Sequence, residues 1–205
     1  WGIRYYMLDF LNAASDASRY DEYHDESLVP GLPIMRRGLE IATETAGPET
    51  YTLSSSGPHF ACCPYVSAAR MGNDFGEGRA INPESYFYPA TYLINDPTAW
   101  TAHRRASDNL AATAYSHRKL FVNDSCNVMT VDSPIPLSEA RITATLFGIC
   151  GGPLILGDDI DRISEERLSL IRKVFPRTPE AARCVDLYDT PEPDHPRVFH
   201  QHVEA

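Results

Sequence analysis

Ile3-Arg4-Tyr5-Tyr6-Met7-Leu8-Asp9-Phe10 is the stretch on which the fold turns. It is a run of apolar and aromatic side chains without Gly or Pro, and it closes on a carboxylate. Such a run reads as a buried strand with a polar group at its carboxyl end. The pattern recurs downstream. Tyr51 to Leu53 runs into the turn-rich Ser54-Ser55-Ser56-Gly57-Pro58, and Val66 to Met71 carries Arg70 and is followed by the Gly-rich stretch Gly72 to Gly78 with Asp74. Leu120 to Val122 ends at Asn123-Asp124, and Pro153 to Leu156 ends at Asp158-Asp159. Helical patterns lie between these runs. Pro33 to Ala46 carries Ile34, Leu39 and Ile41 and stops at Gly47-Pro48. Ala99 to His117 has Leu110 and Ala114 at i,i+4 spacing. Ser138 is a candidate N-cap for a helix to about Ile149, and Ser164 for a last helix with Leu168, Ile171 and Val174 on one face. Asn12 to Glu26 reads as a polar loop, and a second long loop carries Tyr86, Phe87, Tyr88 and Tyr92.

Strands alternating with helices imply βαβ units and a parallel sheet, hence the α/β class. About five strands are too few to close an eight-stranded barrel, so periodicity leaves an open sheet and a partial barrel both standing. Composition narrows the function. With 28 acidic against 18 basic residues in 205, the net charge is -10, a field that repels phosphate backbones and anionic membrane surfaces. No apolar run is long enough to span a bilayer. The expected partners therefore exclude nucleic acid and membrane, while compartment and oligomeric state are unknown. The five cysteines (Cys62, Cys63, Cys126, Cys150, Cys184) form no CxxC pair and read as scattered thiols. The histidines show no HxxxH or HExxH spacing, so no metal is expected. GxGxxG and Walker sequences do not occur, so no nucleotide cofactor is expected either. The chain opens on Trp1 without a Met, which reads as a piece of something longer.

The strand ends supply the candidate chemistry: Asp9, the Ser54 to Ser56 cluster, Arg70 with Asp74, Asn123 with Asp124, and Asp158 with Asp159. A single acid at a strand end is equally well a structural carboxylate capping a loop. Several on one rim favour a shared site. Two facing carboxylates are what glycosidic bond cleavage requires, one attacking or activating water and the other protonating the leaving oxygen.

The residues then become recognisable. Tyr6-Met7-Leu8-Asp9-Phe10 resembles the nucleophile strand of the α-galactosidase (melibiase) clan, glycoside hydrolase families 27 and 36. Ala69-Arg70-Met71-Gly72-Asn73-Asp74 resembles its Arg-x-Gly-x-Asp segment, and Leu120-Phe121-Val122-Asn123-Asp124 its seventh strand. Leu137-Ser138-Glu139-Ala140-Arg141, Gly151-Gly152-Pro153-Leu154-Ile155-Leu156-Gly157-Asp158-Asp159 and Ile163-Ser164-Glu165-Glu166-Arg167 resemble the helix, eighth strand and final helix that close the barrel. The resemblance implies a partial (β/α)8 barrel, about strands 4 to 8, over residues 1–178. Residues 179–205 would be a linker and the start of a truncated C-terminal β domain. It further implies a retaining hydrolase of terminal α-linked sugars. Asp9 would be the nucleophile, Asp74 the general acid/base, and Arg70, Ser56 and Asp124 substrate-binding residues. Retention would put the two carboxyl groups about 5–5.5 Å apart.

The chain departs from the family at two marked places. Met7 stands where a sugar-binding Lys is usual, and Ser54-Ser55-Ser56 replaces a cysteine-bearing turn. A related α-glycosidase of different sugar specificity, or a degenerate carbohydrate-binding homologue without catalysis, are the alternatives. An open α/β sheet with unrelated chemistry is the third.

Overall fold

The computed structural model describes residues 2–16, 25, 27–28, 31–72, 100–125, 131, 135–178, 180–190 and 195–203, with backbone alone at 100–103 and 105. Asp74 and the tyrosine-rich loop lie outside the described residues. Strands β1 (Tyr5–Leu8), β2 (Tyr51–Ser54), β3 (Ala68–Arg70) and β4 (Val122–Asp124) form one four-stranded parallel sheet in the order β1-β2-β3-β4. Helices α1 (Leu11–Ser15) and α2 (Leu32–Ala46) connect β1 to β2, α3 (His59–Cys62) connects β2 to β3, and α4 (Trp100–Thr113) precedes β4. Each strand sits beside the one before it in sequence. A barrel winds that way, whereas a doubly wound open sheet reverses its order at a switch point. The expected mixed α/β class with a parallel sheet is thus observed, and the four strands are consistent with part of a barrel.

The chain divides into two compact units: residues 1–70 with 116–122, and residues 71–115 with 123–205. In the first, β1 and β2 pair in the register Tyr5↔Tyr51 through Leu8↔Ser54, and the Tyr5 and Tyr51 rings stack with centroids 5.7 Å apart. Met35 and Leu39 lie one turn apart on α2 and form a core with Cys62 and Val66, against which Leu8, Leu11, Ala61 and Tyr65 pack. Leu53, Ala68 and Ala69 are fully buried, as central parallel strands require. Strand β1 is the exception to the expectation of a buried strand: Tyr5, Tyr6 and Met7 are 38%, 40% and 42% exposed. It is the edge of the sheet, paired on one side with β2, and only Leu8 reaches the core beneath.

The second unit is built on α5 (Leu137–Ile149) and α6 (Glu165–Val174). They pack closely enough that a Cβ on Gly148 would come within 2.7 Å of Val174 Cγ1. Ser164 caps α6 as expected, its Oγ accepting the Arg167 N–H at 3.4 Å, with Glu165 and Glu166 in the first turn. Ser138 does not cap α5. Pro136, at φ -57° and ψ 142°, already turns the chain into the helix, so Ser138 falls inside the first turn. The strand expected over Pro153 to Leu156 shrinks to a single bridge at Leu156. Pro153 has no N–H to give a ladder, and Gly152 lies so near β4 that a Cβ there would meet the Asn123 carbonyl at 2.4 Å. A two-stranded antiparallel ribbon, β5 (Arg183–Cys184) with β6 (Phe199–His200), closes the described chain. The N–H groups of Arg197, foremost, and Val198 clasp the Asp186 carboxylate and lower its pKa to about 2. No helix among the described residues is long and apolar enough to cross a membrane.

Candidate active site

Parallel register assembles the site. Leu8 lies beside Ser54, and Ser54 beside Ala69. One step further along each strand, Asp9, Ser55 and Arg70 fall in line across three neighbouring carboxyl ends. The side chains follow that geometry, all within the first unit. Ser55 Oγ donates to Asp9 Oδ1 at 2.6 Å and accepts from Arg70 Nη2 at 3.0 Å. Ser56 Oγ donates to the same Oδ1 at 2.8 Å and accepts the Phe10 N–H at 2.7 Å. The Phe10 N–H also reaches Oδ1 at 2.8 Å. Phe10 can aim it there because its φ is +54°, a left-handed conformation of the kind that costs a non-glycine residue of order 1 kcal/mol and gathers at functional sites. All these donors converge on Oδ1, and none among the described residues reaches Oδ2. One carboxylate oxygen is therefore pinned while the other stays open to solvent.

Charge follows from this arrangement. Partial burial pushes the Asp9 pKa up. The hydrogen bonds from Ser55, Ser56 and the Phe10 N–H, with the charge of Arg70, outweigh it and leave it below the usual value of 3.8. Arg70 is 7% exposed, and a guanidinium this buried requires polar partners. His59, at the start of α3, is pushed below its usual pKa by burial and then by Arg70's charge. Its Nδ1 is buried and finds no partner among the described residues.

Of the residues singled out in the sequence, Asp9, Ser56 and Arg70 thus come together. Asp124 belongs to the second unit, where it is fully buried at the end of β4 and its carbonyl accepts the Met71 N–H at 2.7 Å. Asp74 lies outside the described residues. Asp158 does structural work: its Oδ1 accepts the Val131 N–H at 2.6 Å. Ser55 lies in the expected Ser54 to Ser56 cluster, but its part as the link between Asp9 and Arg70 was not foreseen, and neither was the burial of His59 within reach of Arg70's charge. The first was within reach, because parallel register makes the middle serine the neighbour of both. No group of three or more His, Cys, Asp or Glu among the described residues is placed to hold a metal ion.

Polar groups on the carboxyl ends of adjacent parallel strands define the α/β class in which ligand chemistry sits on that rim. Among solved structures the chain is similar to the alpha-galactosidase from Thermus thermophilus in complex with stachyose. The TM-score is 0.59 at 20% identity, over 87% of this chain and 35% of that one. The likeness is one of fold alone, and this chain spans about a third of that enzyme's length. No protein-family model and no curated protein sequence matches this chain.

Proposed function

We propose that this chain is the C-terminal part of the catalytic barrel of a retaining α-glycosidase of α-galactosidase type. The observation that carries the reading is Asp9. It sits at a strand's carboxyl end, holds its charge, and has one oxygen clamped by Ser55, Ser56 and the Phe10 N–H. A glycosidic nucleophile needs these properties: ionised, oriented and open on one oxygen. Sequential strand order and the likeness of fold to a sugar-bound alpha-galactosidase support it.

In this mechanism Asp9 attacks the anomeric carbon. The bond to the leaving oxygen breaks, and that oxygen takes a proton from Asp74. Asp74, deprotonated, then accepts a proton from water, which displaces Asp9 and restores both groups. Asp74 must hold its proton near neutral pH, which burial or a neighbouring carboxylate would supply. Arg70 acts through the Ser55 hydroxyl to keep Asp9 anionic, and Ser56 would meet a sugar hydroxyl; Asp124, expected to bind sugar as well, is fully buried in the other unit and is left out of the site. The same reading sets the boundary between barrel and β-domain segments at residues 178 and 179.

Met7 favours a second reading within the same machinery. It shares the Asp9 face of β1 two residues earlier, and a thioether cannot donate to a sugar hydroxyl. A different sugar, or binding without turnover, would follow.

The test is a 2-deoxy-2-fluoro-α-galactosyl fluoride trap on the full-length parent protein. The expected outcome is a covalent adduct on the peptide carrying Asp9, with aryl α-galactoside turnover lost in Asp9→Ala. Unchanged turnover in that variant removes Asp9 as nucleophile. Binding of galactose without any adduct selects the non-catalytic alternative.

A further inference from the structure

A second concave site lies in the other unit, formed by α4, α5 and the segment entering β6. It encloses about 580 Å³, the size of a small-molecule site. Leu146 and Phe147 of α5 and Phe199 of β6 give it an apolar floor. Arg104, Arg141 and Arg197 stand around it, and no acidic residue is among its described lining residues. Three guanidiniums gathered in one cleft run against a chain whose net charge is -10.

Arg104 is held in place. Asp108 lies one turn further along α4, and its Oδ2 is 2.7 Å from His195 Nδ1. The other ring nitrogen of His195, Nε2, contacts the Arg104 guanidinium. A guanidinium has only donors, so Nε2 accepts from it and Nδ1–H donates to Asp108. The carboxylate thus orients the imidazole, and the imidazole orients Arg104 toward the cleft. Arg141 makes an exposed pair with Glu166 at 3.6 Å, an interaction weak enough in water to yield to a buried anion.

We propose that this cleft binds an amphiphilic oxyanion, a carboxylate or phosphate head on an apolar aryl or acyl body. The head would take paired N–H bonds from Arg104 and Arg141, since a planar guanidinium matches a carboxylate or phosphate edge. The body would cover Ile142 and Phe199, with the buried Leu146 and Phe147 behind them. The inference is independent of the glycosidase reading, because none of these residues is assigned a part in it.

The experiment is isothermal titration of the 205-residue chain with 1-naphthyl phosphate, 1-naphthoate, neutral 1-naphthol and inorganic phosphate. The expected result is saturable binding of at least one naphthyl anion, about ten-fold or more tighter than naphthol and than phosphate alone, because head and body each contribute. Which anion wins identifies the head. Arg104→Gln and Arg141→Gln should each weaken it about ten-fold or more, and added salt should weaken it too. Phe199→Ala should weaken the naphthyl anion and leave inorganic phosphate unchanged. Naphthol binding as tightly as both anions, the absence of saturable binding, or unchanged affinity in both arginine variants overturns the proposal. Should the variants fail to fold, the ligand comparison and salt dependence on the unaltered chain decide alone.

Discussion

At the scale of single residues, the hydroxyls of Ser55 and Ser56 hold one oxygen of Asp9. A hydroxyl donates strongly to a carboxylate, where a thiol would donate only weakly. Asp9 titrates below the usual aspartate value for this reason. The sign of its linkage follows: the clamp contributes stability above the unfolded-state pKa and loses it as pH falls through the lower folded value. Carbon-detected NMR titration of the Asp9 carboxyl should give a midpoint below 3.8, and Ser55→Ala should move it upward. A midpoint at or above the ordinary value in the unaltered chain would remove the ionised-nucleophile argument. A different readout tests Met7. If the site accepts galactosides, Met7→Lys in the full-length parent should lower KM several-fold with kcat little changed, since the new ammonium adds a charged hydrogen bond in ground and transition states alike. An unchanged KM would mean that the position does not face the sugar.

At the scale of elements, two glycines separate what helix propensity decides from what packing decides. A Cβ on Gly38, inside α2, meets nothing within 4 Å. Gly38→Ala should therefore stabilise the chain by about 0.5–1 kcal/mol, through helix propensity alone. A Cβ on Gly152 would press on the Asn123 carbonyl at 2.4 Å, and backbone cannot swing away as a side chain can. Gly152→Ala should destabilise by about 1–3 kcal/mol. Urea midpoints of the two variants should shift in opposite directions, and a shared direction would contradict the packing described. The same contrast explains what could be read from the sequence. Helices α2, α4 and α6 were legible because their apolar spacing and end signals are local, Gly47 after α2 and Ser164 before α6 among them. Strands β2 and β3 were legible as apolar runs between turn residues. The short α1 and α3 were not, because each depends on a long-range tie: the Asn12 N–H bonds the Ser56 carbonyl, and Cys62 enters the core of Met35 and Leu39. The eighth-strand motif misled for a related reason. Leu154-Ile155-Leu156 has strand composition, but Pro153 and the close approach of Gly152 set its backbone. Within the site, Asp9 and Arg70 stood out as polar groups on apolar runs. Ser55 emerged only with register, and His59 only with burial.

At the scale of the whole molecule, β1 is the exposed strand of the sheet, while β2, β3 and β4 are largely buried. Parallel sheets are ordinarily buried on both faces and flanked by further strands, yet Ile3, Tyr5, Tyr6, Met7 and Phe10 all stand exposed along or beside β1. A parallel edge bearing apolar side chains is a template for pairing with another chain. The net charge of -10 opposes such association only at low ionic strength, because salt screens it over about 10 Å at 0.1 M. If the chain is a segment of a larger barrel, the missing strands are what β1 would pair with. The 205-residue chain alone should then self-associate as salt and concentration rise, and Tyr6→Lys should suppress this by placing a charge on the edge. Its two compact units, each with its own core, should also melt with poor mutual cooperativity. Calorimetry should give a van't Hoff enthalpy clearly smaller than the calorimetric one, and sedimentation a mass that grows with salt. A monomer at all salt concentrations, melting in one sharp transition with the two enthalpies equal, would show that the exposed edge needs no partner, and the barrel-segment architecture would fail with it.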